Sequence, residues 1–179
     1  MENYNLEEKL ILIFNNVNDW LKFAETKNGV FVGFIGAILF ALLSSWNTLD
    51  NETQLVSQYI IFPVGIIVLI ILSITFIPKF NVKGILKKKK RDNKEVKNLF
   101  YFIYLKTLTN TELLNQLSQE INIKKPVNYK RMELDLADQI IVNAHITCRK
   151  YAYFRCAILI AISGFLLSFI LIVVLKIIN

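Results

Sequence analysis

Three uninterrupted apolar stretches divide this chain: Asn28 to Trp46 (NGVFVGFIGAILFALLSSW), Tyr59 to Pro78 (YIIFPVGIIVLIILSITFIP) and Cys156 to Leu175 (CAILIAISGFLLSFILIVVL). None contains a lysine, arginine, histidine, aspartate or glutamate. About 20 helical residues rising about 1.5 Å each match a hydrocarbon layer about 30 Å thick, so each stretch predicts a transmembrane helix. As buried helices of a soluble core they would fill about a third of the chain, and too little polar sequence would remain to cover them.

The flanking segments show helical spacing as well. Leu6, Leu10, Ile13, Phe14, Val17, Leu21 and Ala24 repeat on one helix face leading into the first span, with Asn15, Asn16, Asn18 and Asp19 opposite. That polar face is poor in basic residues, which favours packing on the rest of the chain over lying on the bilayer. After the second span, Pro78 and NVKGILKKKKRDN end the regular structure. Asp92 with Glu95, and Thr109 with Glu112, then have capping-box spacing, which predicts helices over Lys94–Leu108 and Asn110–Ile121. The stretch NLFYFIYL in the first of these is too short to span and too apolar to be exposed, so it belongs to a core or lies on the membrane. Pro126 breaks the chain, and from Arg131 to Ile178 nothing interrupts a helix except Gly164, which membrane helices tolerate.

The predicted architecture is all-α: an integral membrane protein with three transmembrane helices and a helical cytoplasmic domain. Its parts are an N-terminal helix (1–27), a span (28–46), an external loop (47–58), a second span (59–78), the cytoplasmic domain (79–155) and a third span (156–175).

Composition agrees with a membrane protein, at 54% hydrophobic residues and a mean hydropathy of +0.44. The N-terminus, MENYNLEEKL, is acidic where a cleaved signal peptide would be basic, so the first span is expected to be retained. Of the 21 lysines and arginines, 17 fall between Lys79 and Arg155, whereas NTLDNETQLVSQ between the first two spans has none. The positive-inside tendency therefore puts 79–155 and the N-terminus in the cytoplasm. The net charge of +7, concentrated in GILKKKKR, is read as this topology signal and as attraction to anionic membrane lipids. A nucleic-acid partner is not expected, because the basic run lacks interleaved aromatics and belongs to no binding fold. Cys148 and Cys156 lie about 12 Å apart along one helix, beyond disulfide reach.

Catalytic chemistry is sparse. His145 is the only histidine, and no P-loop, nucleophile elbow or zinc-binding set accompanies it. With Cys148 it offers two metal ligands where zinc needs three or four, and Asp138 lies about 10 Å away along the helix. The chain is thus read as a non-enzyme without a cofactor. The spans also lack the buried charges of proton relays. They carry small residues in register instead: Gly29, Gly33, Ala37 and Ala41 on the first, and Ala157, Ala161, Gly164 and Ser168 on the third. Such ridges suit intramolecular packing and self-association equally. Gln139, Asn143, Thr147 and Lys150 form a polar stripe on the last helix, followed by Arg149, Tyr151 and Arg155 at the membrane edge. A cation beside an aromatic and amides is a surface that could hold a small nucleotide, or an interhelical polar face anchored at the headgroups.

Three stretches, WLKFAETKNGVFVGFIGAIL, NLFYFIYLKTLTNTELLNQL and LADQIIVNAHITCRKYAYFRCAIL, resemble the transmembrane effectors of Pycsar, a bacterial anti-phage system that signals with cyclic pyrimidine mononucleotides. The likeness runs from about residue 19 to 175 in the same order relative to the spans. It departs at Glu25, where the family usually has aspartate, at Asn28, where a small residue is usual, and at Ile103, where glycine is expected. The resemblance implies a defence effector that senses cyclic CMP or cyclic UMP, compromises the membrane and so causes abortive infection. It also implies a location in the bacterial inner membrane, and Glu25, Lys27, Asp138, Gln139, Asn143, Lys150 and Tyr151 as ligand-binding positions. A homo-oligomer is expected, since three helices hardly enclose a water path. Two other classes stay open: a membrane scaffold that holds a partner, and a constitutive holin-like toxin.

Overall fold

The computed structural model describes residues 6–77, 97–122 and 128–178. Among these residues every regular element is helical. Helix α1 runs Leu6–Ser44, so the N-terminal arm and the first span are one continuous helix. A 3-10 turn at Trp46–Thr48 leads to α2, Asn51–Phe76. A single turn, α3, covers Phe102–Leu105, α4 covers Asn110–Glu120, and α5 runs Arg131–Ile178 without interruption. Three of these, α1, α2 and α5, are long and apolar enough to cross a membrane.

Two expected boundaries differ. Helix α2 begins at Asn51, inside the stretch read as an external loop (47–58), because Asp50 caps it: its carboxylate accepts from the Thr53 backbone N–H and hydroxyl. Further along α2, Pro63 has no N–H to give to Tyr59, and the ladder passes through a π turn at Ser57–Ile61 just before it. The helix expected over Lys94–Leu108 is a correction: among its described residues only Phe102–Leu105 is helical. Asn98 is the cause, since its side chain accepts from the Phe100 N–H at 2.8 Å and its carbonyl from the Tyr101 N–H at 3.1 Å. This local turn competes with the helix ladder. The cap expected at Asp92 and Glu95 lies outside the described residues. The Thr109–Glu112 capping box does form, with Glu112 accepting from the Thr109 N–H and Thr109 from the Glu112 N–H.

The chain divides into two compact units, residues 1–24 with 79–149, and 25–78 with 150–179. In the first, Leu10, Ile13 and Val17 of α1 are fully buried, as are Leu105, Leu113, Leu114, Ala137, Ile140 and Ala144. Each buried leucine or isoleucine contributes about 1.5–3 kcal/mol. The arm is thus packed into the helical unit by its apolar face. Polar links add register: Asn143 Nδ2 donates to Asn18 Oδ1 at 2.8 Å, and Tyr104 Oη to Gln116 Oε1 at 2.8 Å. Helix α4 closes at Asn122, whose φ of 53° is the left-handed stop that asparagine tolerates.

The second unit is the membrane unit. Its core is Ile35 and Leu39 of α1, Ile61, Val68 and Leu72 of α2, and Ala157 and Ala161 of α5. Val30, Phe40, Tyr59, Phe169 and Ile170 face outward, as lipid contact requires. Close approach depends on glycine at two points. A Cβ on Gly65 would sit 2.7 Å from Leu39 Cδ2, and one on Gly164 2.6 Å from Val64 Cγ1.

A polar brace as the candidate functional site

Lipid-facing helices end where their last carbonyls lose intrahelical partners. In α2 that end is a 3-10 turn, Ile74–Phe76, which contains the buried Thr75. Lys150 of α5 reaches it: Nζ donates to Thr75 O at 3.1 Å and pairs with Glu25 Oε1 of α1 at 3.0 Å. A cation at a helix C-terminus also meets the negative end of the helix dipole. The Lys150 side chain is only 7% exposed, whereas that of Glu25 is 49% exposed, so a buried ammonium joins all three membrane helices through a half-solvated acid. Its Nζ also lies 5.7 Å from the Phe76 ring centroid.

A second layer supports this contact. Asn28, fully buried on α1, donates from Nδ2 to Thr75 Oγ1 at 2.9 Å, and that hydroxyl donates to Leu72 O at 2.6 Å. Asn28 Oδ1 has no hydrogen-bond partner among the described residues. Beside the brace, Lys27 Nζ lies 5.8 Å from the Tyr151 ring and 5.6 Å from that of Phe154. The opposite end of the unit has its own tie, Lys176 Nζ to Asp50 Oδ2 at 3.2 Å. Asp50 is pulled down to about 2, above all by the Thr53 hydroxyl, against an opposing effect of burial that exceeds the further lowering by Lys176.

Of the residues singled out from sequence, Glu25, Lys27, Lys150 and Tyr151 therefore gather at one end of the membrane unit. Asn143, Asp138 and Gln139 lie in the other unit: Asn143 is bonded to Asn18, Asp138 is half-buried and Gln139 is exposed. Asn28, Thr75 and Phe76 were not anticipated. The departure at Asn28, a polar residue where a small one was expected, was the available signal. The two small-residue ridges divide as well. Ala157, Ala161, Gly164 and Ser168 are buried within the chain, while Gly29, Gly33, Ala37 and Ala41 are exposed, and nothing lies within 4 Å of a Cβ built on Gly29 or Gly33.

No curated protein and no solved structure matches this chain. The family model of the Pycsar effector protein domain matches residues 9–177, which takes in the brace, both units and all three membrane helices. On that match the chain belongs to the Pycsar effector family, and it is a membrane effector of anti-phage defence.

Proposed function

We propose that this chain is an inner-membrane effector that senses a cyclic pyrimidine mononucleotide, cyclic CMP or cyclic UMP, and answers by impairing membrane integrity, so that infected cells die or stop growing before phage spread. The observation that carries the reading is Lys150. One buried ammonium of α5 ties α1 to the end of α2, so loss of its contacts lets the end of α2 part from α1 and α5. In the resting state Glu25 neutralises it. Ligand binding is read out at this end of the unit, where Lys27 and Tyr151 flank the brace, and Asp138, Gln139 and Asn143 serve as ligand-responsive positions of the other unit.

The distribution of basic residues supports an N-terminus and a 79–155 segment in the cytoplasm, where a nucleotide signal is made. Self-association is part of the reading. Among the described residues the interior of the membrane unit is packed with Ile35, Leu39, Val68, Leu72, Ala157 and Ala161, which supports a water path formed between copies and not within one. The open ridge Gly29, Gly33, Ala37 and Ala41 supplies a surface on which copies can approach. The test is dye release from liposomes containing the full chain, challenged with cyclic CMP, cyclic UMP and a purine cyclic nucleotide. Release on addition of a pyrimidine nucleotide is expected. Leakage before any addition would favour a constitutive toxin, and tight vesicles under every nucleotide would favour a scaffold.

A further inference from the structure

The first unit contains a cavity of about 250 Å³ lined by Lys106, Thr107, His145, Cys148 and Arg149. Two segments build it. Lys106 and Thr107 follow α3, where the Thr107 hydroxyl is turned onto the Tyr104 carbonyl at 2.7 Å. His145, Cys148 and Arg149 lie at i, i+3 and i+4 on α5, the spacing that aligns side chains on one helix face. None of the five is acidic, and Lys106 and Arg149 carry fixed positive charge.

Arg149 supplies the decisive observation. Its Nε is enclosed and meets no hydrogen-bond acceptor among the described residues. A guanidinium N–H shut away from water without an acceptor is unfavourable, and native structures rarely leave one so unless something else binds it. An anionic oxygen is the acceptor that suits it best, since a charged donor binds an ionised acceptor most strongly. Arginine forks match phosphate oxygens, with a lysine as the companion point charge. The cavity is just below the range of about 300–1,000 Å³ typical of small-molecule pockets, a size for one nucleotide-scale body and not for two linked ones.

We infer that this cavity binds a singly charged phosphodiester held by Arg149 and Lys106. Resting on the function proposed above, that diester is the activating cyclic mononucleotide. A phosphatidylglycerol headgroup carries the same chemical group, so the experiment separates the two sources. Calorimetry on the detergent-purified full chain would use cyclic CMP, cyclic UMP and short-chain phosphatidylglycerol as titrants, with Arg149→Gln, Arg149→Lys and Lys106→Gln alongside and circular dichroism checking that each variant is folded. One nucleotide per chain is expected, weakened about 10- to 100-fold by Arg149→Gln and less by Arg149→Lys and Lys106→Gln. Equal nucleotide binding by wild type and all three variants would overturn the cavity assignment and leave the functional proposal standing. Wild-type protein that binds neither nucleotide would overturn both. Arg149-dependent binding of phosphatidylglycerol alone would assign the cavity to lipid and overturn the nucleotide assignment.

Discussion

Replacing Lys150 with methionine keeps most of the side chain's length and removes only the ammonium. Two contacts go with it, the 3.1 Å bond to Thr75 O and the 3.0 Å pair with Glu25. A hydrogen bond to a charged group contributes about 1.5–3 kcal/mol, and the Thr75 contact, in a residue 2% exposed, belongs in that range. The Glu25 pair is discounted for solvent screening to about 0.2–1 kcal/mol, because its carboxylate is half in water. The closed arrangement should then lose about 2–4 kcal/mol, a shift of roughly 30- to 1,000-fold in a two-state gate. Liposomes carrying Lys150→Met should release dye without nucleotide, those carrying Glu25→Gln much more weakly, and the wild type not at all. Vesicles with Lys150→Met that are as tight as wild type, from protein with an unchanged melting temperature, would refute the assignment of Lys150 as the brace.

The two small-residue ridges should respond oppositely to added bulk. Gly164→Val forces a side chain into Val64 and should destabilise the monomer by about 1–3 kcal/mol, whereas Gly33→Val meets open space, leaves the melting temperature unchanged and lowers chemical crosslinking between copies. At the other end of the membrane unit, Asp50 is held down to about 2 from 3.8. A depressed carboxyl contributes stability that is complete above about pH 4 and lost as pH falls through about 2. Asp50→Asn should therefore lower the melting temperature at neutral pH and differ progressively less from wild type as the pH falls toward 2; a difference that is constant across this window would contradict the linkage.

Much of the fold was legible because its signals are local. The length of α5 follows from the absence of any strong breaker between Arg131 and Ile178, and α4 from the reciprocal cap of Thr109 and Glu112. Where reading failed, a short-range polar contact outweighed hydrophobicity. Asp50 with Thr53 starts α2 inside a stretch whose polarity reads as loop, and the Asn98 turn prevents the aromatic run NLFYFIYL from becoming a long helix. The site was only half legible. Lys150 stands out as a cation at a membrane edge, but its partners are 75 residues away at Thr75 and on another helix at Glu25, and no periodicity encodes such pairings. Arg149 was visible as a membrane-edge cation, yet its enclosure beside Lys106 depends on where the chain after α3 meets α5.

The central claim is that α1 and the end of α2 must part for the effector to act. Asn28 and Thr75 already touch across that junction at 2.9 Å, so a cysteine pair at these positions, bridged by a short bis-methanethiosulfonate crosslinker and with Cys148 and Cys156 replaced by serine, provides a reversible lock. Proteoliposomes of this variant should be silent to cyclic CMP and cyclic UMP when crosslinked and release dye on adding the nucleotide once the bridge is reduced. Equal nucleotide-triggered release from the locked and the reduced protein would contradict the account.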